Sequence, residues 1–227
     1  MDRYIRNRQL ISEKEQEILR GKSVAVVGLG GLGGHICEQL SRLGVGSLTL
    51  IDSDVVEPNN LNRQIFATEK TLGTPKTQAA IERLTAVNPH VKLSSHRRYL
   101  TLENGAELLR SADIVMDAVD NIETRYVLEK CCERLDLPFV HGSIGGWWGQ
   151  VSVIFPGDNI MERIYPKKDA VGAEEKWGNP AFTPAVVASI QTAEALKLLL
   201  GKPEILRGKL LRIDLLDHEY FTIDLMP

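Results

Sequence analysis

Val24-Ala25-Val26-Val27-Gly28-Leu29-Gly30-Gly31-Leu32-Gly33 is the stretch whose reading decides the fold. Four apolar residues in a row read as a strand buried on both faces, as parallel strands are. The glycines then turn that strand into a helix. Gly28 permits the tight turn, Gly30 lets backbone N–H groups approach a phosphate, and Gly33 allows helix and strand to touch. The helix beyond offers unsatisfied amides and the positive end of its dipole to an anion. The stretch predicts a nucleotide-phosphate site and leaves the chemistry open.

Outward from this loop the chain keeps the rhythm of an α/β fold. Leu32, Ile36, Leu40 and Leu43 recur at helical spacing over 31–43, and 48–51 reads as a second strand ending at Asp52. Upstream, Ser12 and Glu15 form a capping box for a helix that Gly21 stops. Downstream, Thr74 as cap and Pro75 at the first helical position open a helix reaching Val87. Strands are expected over 91–95, 114–116 and 139–141, and helices over 102–109 and 122–135. After Gly142 the character changes. Residues 145–149 read as a tight turn, 151–155 as a β-branched strand, 184–200 as a strong helix, and 210–215 and 220–224 as two closing strands. The expected fold is α/β: a Rossmann-like open, mainly parallel sheet with helices on both faces, extended by antiparallel strands in the C-terminal part.

Composition removes several function classes. The 227 residues are 43% hydrophobic and 25% charged with a formal net charge of −3, so no basic excess points to nucleic acid. No apolar run approaches the roughly 20 residues a membrane helix needs, and the N-terminus lacks the apolar core of a signal peptide. Three cysteines, Cys37, Cys131 and Cys132, read as reduced packing residues of a cytoplasmic protein. The five histidines show no metal spacing, and His141 reads as a satisfied core histidine.

The later polar residues decide what the loop is for. Asp52, about 20 residues past the glycines, can accept hydrogen bonds from a ribose hydroxyl, which suits NAD as well as ATP. Asn60, Arg63, Gln64 and Lys76 follow on a loop and a helix start that return near the strand ends. A pyrophosphate is satisfied by the helix N-terminus, so a dehydrogenase has no evident use for two added cations. A triphosphate attacked at its α-phosphorus needs its charge held and neutralised, and an Arg and a Lys do that. Asp120 falls at the carboxyl edge of the sheet, where it can hold Mg²⁺ against phosphates or serve only as a helix cap; Asn121 beside it can also cap.

These residues, in this order, resemble the ThiF/MoeB/HesA superfamily, the prokaryotic relatives of ubiquitin-activating enzymes. The resemblance rests on Arg3-Tyr4-Ile5-Arg6, the glycine loop, Asp52-Ser53-Asp54, Asn60-Leu61-Asn62-Arg63-Gln64, Gly73-Thr74-Pro75-Lys76, Asn88-Pro89 and Asp120-Asn121. It implies one ATP- and Mg²⁺-dependent adenylation domain over 1–227, with 1–20 as an N-terminal arm and helix and 157–182 as a crossover loop. The implied substrate is the C-terminal carboxylate, often Gly-Gly, of a small ubiquitin-like sulfur carrier in thiamine, molybdopterin or similar metabolism. By similarity Gly28, Gly30, Gly31, Gly33 and Asp52 bind the nucleotide, with Asp54 and Asn121 nearby. Asn60, Arg63, Gln64 and Lys76 take the phosphates, and Asp120 takes Mg²⁺. Arg6 reaches the γ-phosphate site of the partner subunit in a homodimer, with Arg8 as competitor for that role.

The chain also departs from that pattern. No cysteine follows Cys132, so a thiolate zinc site is not expected and no covalent enzyme thioester can form in the loop. A separate donor must then supply sulfur. Trp147 and Trp148 either line the channel for a carrier tail or pack under a loop. The rival readings are an NAD-dependent oxidoreductase on the same glycine loop, an inactive partner in a heterodimer, and an adenylating enzyme for a peptide or tRNA-linked carboxylate.

Overall fold

The computed structural model describes residues 3–167 and 176–226. Eight strands make one sheet: β1 (Ser23–Val27), β2 (Ser47–Ile51), β3 (Lys92–His96), β4 (Ile114–Asp117), β5 (Phe139–Gly145), β6 (Trp148–Ile154), β7 (Lys209–Asp214) and β8 (Glu219–Asp224). Their spatial order is β3-β2-β1-β4-β5-β6-β7-β8. The first five strands pair in parallel and β5 through β8 pair antiparallel. Winding reverses between β1 and β4, the switch point at which open α/β sheets leave a crevice. Val27 pairs with Ile51 on one side and Asp117 on the other, so three strands end at one level.

Alternation along β1 divides the core into two layers. Val24 and Val26 pack on one face with α2 (Gly31–Leu43), α3 (Lys76–Val87) and the long α7 (Phe182–Leu199). Ala25 and Val27 pack on the other face with α4 (Gly105–Leu109) and α5 (Ile122–Leu135). The period of two that places successive side chains on opposite faces does this directly. α1 (Glu13–Arg20) carries the expected capping box of Ser12 and Glu15 and ends at Gly21. The short α6 (Met161–Ile164) lies in the segment after β6, and residues 168–175 of the expected crossover loop lie outside the described residues.

Two expectations change. Helix α3 begins at Lys76 rather than Pro75, because Pro75 is extended (ψ 133°), bridges Val55, and makes no side-chain cap. β5 runs on to Gly145 and β6 starts at Trp148, so the predicted turn over 145–149 shrinks to Gly146 and Trp147. The extra glycines are strand residues that admit α7. A Cβ on Gly142 would lie 2.2 Å from the Gln191 side chain, and one on Gly149 would lie 2.2 Å from Val187. Glycine in a strand marks such close approach as well as turns.

Candidate functional site

The glycine loop lies where β1, β2 and β4 end. Gly28 adopts φ +92°, and a Cβ there would lie 2.4 Å from the carbonyl oxygen of Ala118. A Cβ on Gly33 would lie 1.9 Å from the Gly28 oxygen, so α2 sits directly against the strand end. At Gly30 the nearest neighbour is the Gln64 amide at 3.6 Å, which leaves room for a ligand to approach the backbone. α2 starts at Gly31 without a side-chain cap, so its first amides remain available. The loop opens into a cleft whose empty space, open solvent included, is about 780 Å³.

The cleft gathers most of the residues singled out in the sequence. Gly28, Gly30, Gly31, Asp52, Asp54, Arg63, Gln64, Lys76, Asp120 and Asn121 all line it. Asp52 braces the loop: one carboxylate oxygen accepts the Leu29 N–H at 2.7 Å, the other the Asp54 N–H at 2.8 Å. Burial pushes its pKa up, against the opposing pull of Lys76 and these two amides. Each oxygen keeps a second lone pair for a hydroxyl. Lys76 is buried, and its ammonium lies 2.9 Å from Asp54. Burial raises the Asp54 pKa, but the Lys76 contact outweighs it and the net shift is downward. Arg63 donates through Nη1 to the Asn59 carbonyl (3.1 Å) and Asn62 (2.9 Å), which anchors its guanidinium beside the loop.

Asp120 and Asn121 divide their tasks. Asn121 caps α5 by accepting the Thr124 N–H at 2.8 Å, while Asp120 is exposed at the cleft and accepts from the Asn121 amide at 3.2 Å. The cap reading therefore belongs to Asn121. Among the described residues no cluster of three or more His, Cys, Asp or Glu can hold a metal alone. One or two carboxylates completed by phosphate oxygens is the donor set Mg²⁺ ordinarily takes, and Asp120 fits it.

Other sequence candidates lie elsewhere. Gly33 is spent on packing. Asn60 is buried and is not part of the cleft lining; its carboxamide oxygen accepts the Glu57 N–H at 3.1 Å in a capping box for residues 58–60. Arg6 and Arg8 sit at the opposite edge of the sheet. There Tyr4 packs on Gly44 and accepts a hydrogen bond from Asn88, at the C-terminal ends of α2 and α3. Arg8 lines a groove with Tyr4, Gly44, Gly46 and Lys92 and pairs with Glu13 at 3.2 Å. A five-residue strand spans roughly 17 Å, so neither arginine reaches the cleft of its own chain. Trp147 packs its ring 4.6 Å from that of Phe182, and Trp148 lies 5.8 Å from Arg212; neither lines the cleft. All three cysteines are buried, which raises the pKa of each thiol.

Sequence reasoning missed Arg98, Tyr99 and Thr124, which complete the rim. It also missed a buried polar cluster under the Asp120 turn. His141 is fully buried and holds Asp117 at 2.7 Å, with Arg125, Gln150, Tyr165 and Gln191 around the pair. The reading of His141 as a satisfied core histidine holds, but its partners were not foreseen.

Comparison with known proteins agrees with this architecture. The chain is 34% identical to the SAMP-activating enzyme E1 of Haloferax volcanii, over 98% of this chain and 84% of that one. It is 38% identical to the sulfur carrier protein adenylyltransferase of Thermus thermophilus, over 97% and 85%. In fold it superposes on E. coli MccB, solved with MccA-N7isoASN, with a TM-score of 0.87 at 20% identity, covering 99% of this chain and 72% of that one. The family model for ThiF matches residues 2–227, and with it the glycine loop and every cleft residue described above: the chain belongs to the ThiF family.

Proposed function

We propose that this protein is an ATP-dependent adenylyltransferase acting on the C-terminal carboxylate of a small ubiquitin-like sulfur-carrier protein, releasing pyrophosphate, for sulfur transfer in cofactor biosynthesis. The observation that carries the reading is the pair of cations, Arg63 and Lys76, brought to the glycine-loop cleft from two separate segments. A carboxylate is ionised at neutral pH and needs no general base. Its oxygen bonds to the α-phosphorus as the bond to the β-phosphate bridging oxygen breaks, leaving acyl-adenylate and pyrophosphate. The loop amides and Asp52 hold the nucleoside end, while Arg63 and Lys76 neutralise charge on the phosphates and Gln64 hydrogen-bonds there. Asp120 would hold Mg²⁺, which supplies further neutralisation of the leaving pyrophosphate when bound.

The remaining features fit a homodimer with one adenylation domain per chain. An arginine of the N-terminal arm, Arg6 or Arg8, would act on the partner's cleft rather than its own. The segment 157–182 contains no cysteine, so sulfur comes from a separate donor and the product is the carrier adenylate itself. The relatives named for sulfur-carrier and SAMP activation support the same substrate class. The test is ATP–pyrophosphate exchange with candidate Gly-Gly-ending carriers. Exchange that requires carrier and Mg²⁺ is the expected result. Stabilisation of the chain by NAD with none by Mg-ATP would overturn the reading.

A further inference from the structure

We propose that Tyr165 is a positioning residue for the adenylation step, tying the segment after β6 to the turn that presents Asp120 through a buried Tyr165–His141–Asp117 chain. This rests on the adenylation reading above. The turn is held on three sides. The Asp117 Oδ1 accepts the Val119 N–H at 3.2 Å, Arg125 donates to the Val119 carbonyl at 2.5 Å, and Gln191 donates to the Asp117 carbonyl at 2.8 Å. The other oxygen, Oδ2, meets His141 Nδ1 at 2.7 Å and Arg125 Nε at 3.5 Å.

These contacts set the direction of the chain. Burial pushes the His141 pKa down, against the opposing pull of Asp117. With the Asp117 oxygen 2.7 Å from Nδ1, Nδ1 is the donor and Nε2 the acceptor. The Tyr165 hydroxyl lies 3.3 Å from Nε2, accepts from the Gln150 amide at 2.9 Å and also bonds the Ser143 side chain. The Tyr165 ring sits 5.3 Å from the Arg125 guanidinium, and its carbonyl accepts from Tyr126 on α5 at 2.7 Å. A residue just past α6 thus meets the cluster at His141, Gln150 and Arg125, one step removed from the bonds that fix the Asp117–Asn121 turn.

The test is Tyr165→Phe, which keeps the ring and removes the hydroxyl. Expected is a fall of about three- to tenfold in kcat for carrier-dependent exchange, the worth of one buried hydrogen bond, with KM for ATP unchanged. His141→Gln should lower kcat similarly, and the double variant should lose no more than the worse single one. A second readout needs no carrier: tryptic cleavage after Lys167, with and without Mg-ATP. Bracing of the turn by nucleotide must, by reciprocity, brace the Tyr165 segment, so Mg-ATP should slow cleavage in the wild type and not in Tyr165→Phe. Unchanged kcat with only a lowered Tm, or equal protection in both proteins, overturns the proposal. If no carrier supports exchange in the wild type yet protection still requires the hydroxyl, the adenylation reading fails and the tie stands.

Discussion

Lys76 and Asp54 are joined twice at the mouth of the cleft: the ammonium lies 2.9 Å from the Asp54 carboxylate, and the Lys76 backbone N–H donates to the Asp54 carbonyl at 3.0 Å. The backbone bond starts α3 at Lys76, and the side-chain bond holds a buried cation beside Asp52 and the glycine loop. In the proposed function, the Asp54 carboxylate holds the lysine in place for an incoming phosphate.

Lys76→Ala therefore separates the two bonds. Alanine keeps the N–H that starts the helix, and Asp54, half-exposed, is left in contact with water. Stability should fall by about 1–3 kcal/mol, because a buried side chain is lost and Asp52 loses a neighbouring cation, with the fold retained. Carrier-dependent exchange should fall by about 10²- to 10³-fold, the usual loss when one preorganised charge contact to the transition state is removed. Thermal denaturation and exchange kinetics on the same preparation check both halves.

Arg63 differs from Lys76 in geometry as well as place. Its Nη1 is fixed by Asn59 and Asn62, so the guanidinium plane is set before any phosphate arrives. Arg63→Ala should abolish exchange with the fold intact. Arg63→Lys keeps the charge but loses the fork, and should recover little of the activity because bidentate binding of phosphate is not a property of a point charge. Recovery to near wild-type rates in Arg63→Lys would show that charge alone suffices there.

The glycine loop, the parallel half of the sheet and the antiparallel extension were legible because buried runs and glycine turns are local signals. The hairpin of β5 and β6 was misread for a physical reason: Gly142 and Gly149 are glycines on account of Gln191 and Val187, which lie more than 35 residues away. Nothing near them in sequence says whether a glycine bends the chain or makes room. The same limit hid the partners of His141, which come from β4, α5, β6, α7 and the segment past α6. That Arg63, Lys76 and Asp120 would converge on one cleft was readable, because charges near strand ends have few structural uses. Asn60 had one, the cap over 58–60, that its sequence neighbours did not announce.

Glu38 gives a pH-dependent prediction away from the site. It joins α2 to α3, accepting from Arg42 at 2.5 and 2.9 Å and from Arg83 at 3.0 Å through each oxygen. Burial pushes its pKa up from the ordinary 4.5, but the Arg83 and Arg42 bonds outweigh burial and the net shift is downward. A lowered folded-state pKa contributes stability that is present above the unfolded value and lost as pH falls through the folded one. Glu38→Gln should therefore cost about 1–2 kcal/mol near pH 7, and the gap between the two proteins should close below about pH 4. Urea denaturation across that range measures it; a gap that stays constant with pH would mean the ion pairs contribute nothing.

Asp120 and Asn121 are adjacent, linked at 3.2 Å, and assigned different work, so substituting each alone tests the assignment. Asn121→Ala removes the side-chain bond to the Thr124 N–H and should cost about 1 kcal/mol of stability, the ordinary worth of an N-cap. Asn121→Asp keeps a capping oxygen and should restore most of it. Asp120→Asn removes a charge from an exposed side chain that caps nothing, so Tm should hold while carrier-dependent exchange collapses and the Mg²⁺ concentration for half-maximal rate rises. If instead Asp120→Asn lowers Tm as much as Asn121→Ala does and leaves the Mg²⁺ dependence unchanged, then Asp120 is a structural residue of the turn and the cation is held by other groups.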